Sequence, residues 1–149
     1  RYGVVYDPLL DHLFSAERGG GSWLNGQRLH VSDRREMMDC LVTLDWPRAP
    51  EERQQCADYL ARVASHVDAV RSRGCASLGL CYIAAGWADA YLQYTLSAWD
   101  VAAGVLLIEE AGGQTTDLRG NPYRLEQPDW LATNGHIHDA MLAHRPFGD

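Results

Sequence analysis

The segment running from Ser97-Ala98-Trp99-Asp100 to Glu109-Glu110-Ala111-Gly112-Gly113 constrains this chain more than any other stretch. Its middle, Val101 to Ile108, is almost uninterrupted apolar sequence, too short to cross a bilayer and bounded by acids at Asp100 and Glu109. The pattern predicts a helix over residues 101–111 that opens on a carboxylate and stops at a glycine pair. Ser97-x-x-Asp100 has the spacing of a capping box, with Ser97 at the N-cap and Asp100 in the first turn reaching back to its amide. An acid there also interacts favourably with the positive helix end. On the residues alone, capping is the ordinary explanation of Asp100. One aspartate cannot hold Mg²⁺ tightly, because the ion takes an octahedron of oxygens, usually one or two carboxylates completed by water and phosphate.

Around this helix the patterning changes along the chain. Tyr2 to Tyr6 is β-branched and aromatic and reads as a strand. Asp7-Pro8 turns it into a second, alternating strand over Asp11 to Glu17. Gly19-Gly20-Gly21 makes a turn, and Asn25-Gly26 between Trp23-Leu24 and Arg28-Leu29 signals a tight hairpin. The first third is therefore antiparallel sheet. Cys40 to Leu44 reads as a short buried strand ended by Trp46-Pro47. Pro50 to about His66 is helical, with Pro50 and Glu51-Glu52 suited to a first turn. A strand over Ala69 to Arg71 leads into Gly74, a small-residue helix over Ala76 to Ala85 ends at Gly86, and Ala90 to Tyr94 is a further strand. Gln114 to Thr116 and Trp130 to Thr133 complete the strands, and Ile137 to His144 is a last helix. Sheet first, then alternating helix and strand, implies a layered α/β or α+β domain.

The length suits one domain with its own core, and 46% hydrophobic with 22% charged residues is globular composition. A formal charge of −7 argues against a polyanion held on a general basic face, so no nucleic-acid partner is expected. The tryptophans at 23, 46, 87, 99 and 130 are too scattered for a stacking platform. All 13 basic residues are arginine, which rules out mechanisms needing a lysine of this chain. Cys40, Cys56, Cys75 and Cys81 fit neither a redox CxxC pair nor a zinc clip, and scattered cysteines of this kind are usually buried reduced thiols. The expected location is cytoplasmic, with no membrane partner. The chain opens on Arg1 and has its first methionine at Met37, as expected of a processed or partial sequence.

Several motifs occur in a definite order: Gly3-Val4-Val5-Tyr6-Asp7-Pro8, Ala16-Glu17-Arg18-Gly19-x-Gly21 and Leu24-Asn25-Gly26-x-Arg28-Leu29-x-Val31-Ser32 come first. Arg71-x-x-Gly74-x-Ala76, Ala84-Ala85-Gly86-x-Ala88-Asp89-Ala90-Tyr91 and Trp99-Asp100-Val101-Ala102-Ala103-Gly104 follow. Glu110-Ala111-Gly112-Gly113 and Asn134-Gly135-His136-Ile137-His138 close the series. Each is weak alone. Together they resemble the C-terminal half of the inositol monophosphatase family over nearly the whole chain. The resemblance implies the later part of a layered α/β/α/β/α sandwich, with residues 1–46 as the end of a first antiparallel sheet and 47–149 as a second α/β layer. It also implies an Mg²⁺-dependent phosphomonoesterase of inositol 1-phosphate or a related sugar or polyol phosphate. In that family the ions activate water and stabilise the phosphate in an in-line displacement. Asp100 would be a metal ligand, and Gly74, Cys75 and Ala76 would contact the substrate through backbone amides at a helix start. The family is commonly dimeric, which makes the expected partner either a second copy or the missing N-terminal half.

Two departures limit the resemblance. Gln93 stands where many inositol-preferring relatives carry glutamate. It keeps an acceptor and gains donors at the loss of the charge, and its alternative is a plain solvent-facing strand residue. The acids of the Glu-Glu and Asp-Pro-x-Asp-Gly-Thr segments do not occur: Asp7-Pro8-Leu9-Leu10-Asp11-His12 lacks Gly-Thr, and Glu51-Glu52 belongs to a helix start. The catalytic acids of the family therefore lie outside this sequence. The chain alone is expected to be inactive, with an unpaired sheet edge and exposed apolar surface near Tyr2-Gly3-Val4. The alternative function is an inactive family remnant that works through protein–protein association. A third reading, Cys75 as a nucleophile, lacks a paired histidine. His136-x-His138 opens a helix, where the two rings point apart, and reads as a surface helix start rather than a metal pair.

Overall fold

A computed structural model describes residues 1–127 and 129–145. Strands β1 (Tyr2–Asp7), β2 (His12–Glu17), β3 (Gly21–Leu24) and β4 (Gln27–Arg28) form an antiparallel meander in the order β1-β2-β3-β4. The last hairpin turns at Asn25 and Gly26, whose φ values of 49° and 81° match the turn that suits twisted strands. A second, five-stranded sheet has the order β6-β5-β7-β9-β8, from β5 (Leu41–Leu44), β6 (Ala69–Ser72), β7 (Ala90–Tyr94), β8 (Gln114–Thr116) and β9 (Asp129–Thr133). Strands β5, β6 and β7 are parallel, while β9 runs antiparallel to both β7 and β8. The segment Leu41–Leu44 thus pairs with β6 and β7, and the first sheet ends at Arg28 rather than near residue 46.

Among the described residues, four helices complete the architecture: α1 (Pro50–Val63), α2 (Ala76–Ala84), α3 (Ala98–Glu110) and α4 (His138–Ala143). Short 3₁₀ turns lie at Met37–Asp39 and Ala64–His66. Helices α2 and α3 pack side by side, starts together, between the sheets. Phe14 and Ala16 of the first sheet, Leu80 and Ile83 of α2, Val105 and Leu107 of α3, and Tyr91, Trp130 and Ala132 of the second sheet share one core. On the other face of the second sheet, Val42, Leu44, Leu92 and Leu131 pack on Cys56, Tyr59 and Val63 of α1 and on Ile137 and Met141. Alternation along β7 assigns Tyr91 to the first core and Ala90, Leu92 and Tyr94 to the second. The layers therefore run β/α/β/α, the α/β sandwich expected of the sequence.

Helix α3 starts a turn earlier than the apolar run suggests. Ser97 takes the N-cap and Asp100 the third helical position, so Ala98-Trp99-Asp100 are helical. Gly104 lets α3 approach α2: a Cβ there would meet Leu80 Cβ and Cδ1 at 2.6 Å. The linker between the sheets is tied down by Asp89, which is fully buried. Its carboxylate accepts from Ser32 Oγ, from Arg34 Nη1 (3.1 Å) and from the Leu41 amide (2.7 Å), while Asn134 Nδ2 donates to Ser32 Oγ and to the Arg34 carbonyl, each at 2.9 Å. Outward, Tyr2, Val4 and Tyr6 are 77, 59 and 52% exposed on β1, which among the described residues pairs with β2 alone. The exposed apolar surface expected at the start of the chain is present. No helix among the described residues is long and apolar enough to cross a membrane.

Candidate active site

The parallel strands β5, β6 and β7 end on one side of the second sheet, and ligands in open α/β sheets bind beyond such carboxyl ends. A cavity of about 680 Å³ opens there. Its walls include Asp45, Ser72 and Tyr94 at the strand ends, together with Ala49, Ala76 and Ser97 where α1, α2 and α3 begin. Three helix N-termini, each with a partial positive charge and unpaired amides, therefore converge on one hollow. Acids in the first turn temper α1 (Glu51, Glu52) and α3 (Asp100), whereas α2 has neither an acid nor a side-chain cap. Its amides are the ones left to an anionic ligand.

Of the residues singled out by sequence, Gly74, Ala76, Gln93 and Asp100 line this cavity, and Cys75, though exposed, does not. Gly74 holds φ of 76°, the left-handed region that glycine occupies without strain. Gln93 is not a solvent-facing strand residue: it is 7% exposed, its Oε1 accepts the Tyr94 amide at 3.2 Å, and it lines the cavity. Asp100 Oδ2 accepts the Ser97 amide at 3.0 Å, so the helix-capping interaction is formed. Capping and cavity lining coexist in the same carboxylate. No hydrogen bond joins Cys75 to a histidine among the described residues, which removes the support for a thiol nucleophile.

The reading of His136-x-His138 as a surface helix start holds for His136 only. His138 is 1% exposed, with Nε2 and Nδ1 each 2.9 Å from the hydroxyls of Thr116 and Thr133, and burial holds its pKa below the usual 6.5. The pattern hid this because a histidine satisfied by two threonines on different strands has no local signature.

Sequence reasoning missed Asp45, Arg48 and Thr95. Asp45 is 6% exposed at the end of β5 and lies on the cavity wall. Arg48 adds an exposed cation to the rim. Thr95 holds φ of 63°, uncommon for a β-branched residue, in the loop that leads from β7 to Ser97. The signal available for Asp45 was an acid directly after a buried strand, but its partners come from elements 28 and 46 residues away.

A sequence profile of the inositol monophosphatase family matches residues 1–147. The chain belongs to the inositol monophosphatase family. It is 41% identical over 149 residues to an inositol-1-monophosphatase of Rhizobium meliloti, covering 97% of this chain and 55% of that protein. It is 39% identical to the Nus factor SuhB of Pseudomonas aeruginosa, covering 95% and 53%. Among solved structures, the extragenic suppressor protein suhB of Bartonella henselae superposes with a TM-score of 0.93 at 36% identity, over 99% of this chain and 57% of that one. The inositol monophosphatase of Anabaena gives 0.90 at 35% identity, over 97% and 57%. The chain spans about half the length of the curated relatives it matches.

Members of the inositol monophosphatase family are generally Mg²⁺-dependent phosphatases of small phosphate monoesters. The residues present fit that ion in part. Asp100 is a hard oxygen donor at the cavity, and among the described residues only Oδ2 takes a hydrogen bond from protein. Among the described residues no group of three or more acids, histidines or cysteines gathers to complete a metal site.

Proposed function

We propose that this chain supplies the substrate-binding wall and one metal ligand of an Mg²⁺-dependent phosphomonoesterase acting on inositol 1-phosphate or a related sugar or polyol phosphate. The supporting observation is the convergence of Gly74, Ala76, Gln93 and Asp100 on a cavity ringed by three helix starts. When bound, Mg²⁺ lowers the pKa of the attacking water and neutralises charge on the phosphate. The uncapped amides of α2 donate to a ligand oxygen, and the Gln93 carboxamide, able both to donate and to accept, meets a hydroxyl. Without a carboxylate at position 93 the wall discriminates less strongly for inositol, which widens the reading to other polyol phosphates.

Trp46 and Trp99 lie on the cavity wall and report on it by fluorescence. Titration of the 149-residue chain with inositol 1-phosphate is expected to give a saturable change that strengthens with Mg²⁺ in the parent and not in Asp100→Ala. A response that orthophosphate reproduces in full, or no response, overturns the polyol phosphate reading. A second reading, association with another copy of this chain, draws on the apolar outer face of β1. It predicts that Val4→Lys changes the sedimentation of the chain and leaves the titration untouched.

A further inference from the structure

The Gly74 turn is held from behind by a single carboxylate. Asp45 Oδ1 accepts the amides of Arg73 (3.0 Å) and Gly74, and Oδ2 accepts the Tyr91 hydroxyl at 3.0 Å. These bonds connect the end of β5, the start of α2 and the middle of β7, elements that sequence does not place together. Tyr91 reaches Asp45 because Gly79 has no side chain: a Cβ there would lie 2.6 Å from the Tyr91 ring. Burial, then the neighbouring Asp45 charge, pushes the Tyr91 phenol well above its usual pKa, so it remains a donor. On the cavity side, Ser77 Oγ donates to the Asp100 carbonyl at 3.0 Å, joining the starts of α2 and α3.

We propose that Asp45 is a positioning residue of the site: it fixes the Arg73–Gly74 turn by taking both amides, and so sets where the free amides of α2 stand relative to Asp100. The proposal rests on the phosphate-ester reading for its functional consequence, and on the three hydrogen bonds for the lock itself. Two backbone donors that a ligand could have used are consumed by the protein. Ligand recognition at this turn then falls to the next amides, those of Cys75, Ala76 and Ser77, which a carboxylate behind the turn holds in place without competing for them. Asp45 is thus a residue of the cavity wall whose oxygens point their hydrogen bonding at the protein.

The lock is tested in the unliganded 149-residue chain by amide hydrogen exchange, with mass-spectrometric fragmentation that resolves Arg73 and Gly74. Both amides are expected to be protected in the parent and to exchange at least about tenfold faster in Asp45→Ala, the scale of one lost charge-assisted hydrogen bond. Asp45→Asn keeps an oxygen for the two amides and is expected to restore most of the protection. Tyr91→Phe separates the remaining arm. Titration with inositol 1-phosphate is then expected to weaken about tenfold in Asp45→Ala and within about threefold in Asp45→Asn. Unchanged protection in Asp45→Ala overturns the lock. Lost protection with unchanged affinity overturns the positioning role. An unmodified chain with protected amides and no response to the ester overturns the phosphate-ester reading and, with it, the positioning role, while the exchange result still decides the lock.

Discussion

Gly104→Ala is the substitution whose outcome the packing of α2 on α3 decides most directly. In an isolated helix the change would be favourable by about 1 kcal/mol, because alanine is the better helix former. Here the added methyl would stand 2.6 Å from Leu80 Cβ and Cδ1, and ordinary contact begins at 3.4 Å, so the helices must part by about 0.8 Å. Leu80 is fully buried and its Cβ moves only with its backbone, so rotation of the side chain alone does not relieve the overlap. Overpacking of this kind costs about 1–3 kcal/mol, against a propensity gain of about 1. The net expectation is a loss of up to about 2 kcal/mol, with the melting temperature of a domain this size falling by up to roughly 8 °C. The assay is a circular-dichroism melt at micromolar concentration, paired with the inositol 1-phosphate titration. Because the Ser77–Asp100 bond joins the two helices at the cavity, separation at Gly104 should also weaken binding. A Gly104→Ala chain more stable than the parent, with unchanged binding, would refute the close approach of the helices.

Asp89→Ala removes the acceptor of the Ser32, Arg34 and Leu41 donors. Arg34 is 44% exposed and regains water, so the cost is discounted to about 3 kcal/mol, a fall of roughly 6–12 °C in the melting temperature; a loss under 1 kcal/mol would contradict the network. Because His138 is held below 6.5 by burial, the unfolded chain protonates first on acidification. Its stabilising contribution is therefore full above the unfolded value and declines as pH falls from about 6.5 towards the folded value, a slope that urea midpoints should show in the parent and not in His138→Gln. The 149-residue chain with Mg²⁺ is expected to release no phosphate from inositol 1-phosphate above blank, and robust turnover would sink the one-ligand reading of Asp100. The same chain is expected to self-associate in sedimentation runs through the exposed face of β1; a monomer at every concentration would count against that.

What sequence made legible follows from the range of the forces involved. Asn25-Gly26, the glycine after α2 and the alternation of Ala90 to Tyr94 are local signals, and each element formed where its pattern lay. The start of α3 was legible in the capping box from Ser97 to Asp100 and not in the apolar run, which begins only after the first turn. Strand order was not legible. β9 slots between β7 and β8 because Leu131 and Trp130 serve opposite faces of one sheet, and no neighbouring residue encodes that. At the site, Gly74, Ala76, Gln93 and Asp100 could be named from ordered motifs, and the cavity collects them. Asp45 could not, since its role exists only once β5, β7 and the Gly74 turn meet.

The α2–α3 layer touches a sheet on each side, and the beginnings of those same helices form one part of the cavity wall, beside the loops 45–49 and 95–97. The helical part of the frame is packed between two sheets, so its ordering entropy is spent when the chain folds. A ligand oxygen held by the first amides of α2 should therefore meet donors already in place, and any ordering that accompanies binding should fall on the two loops.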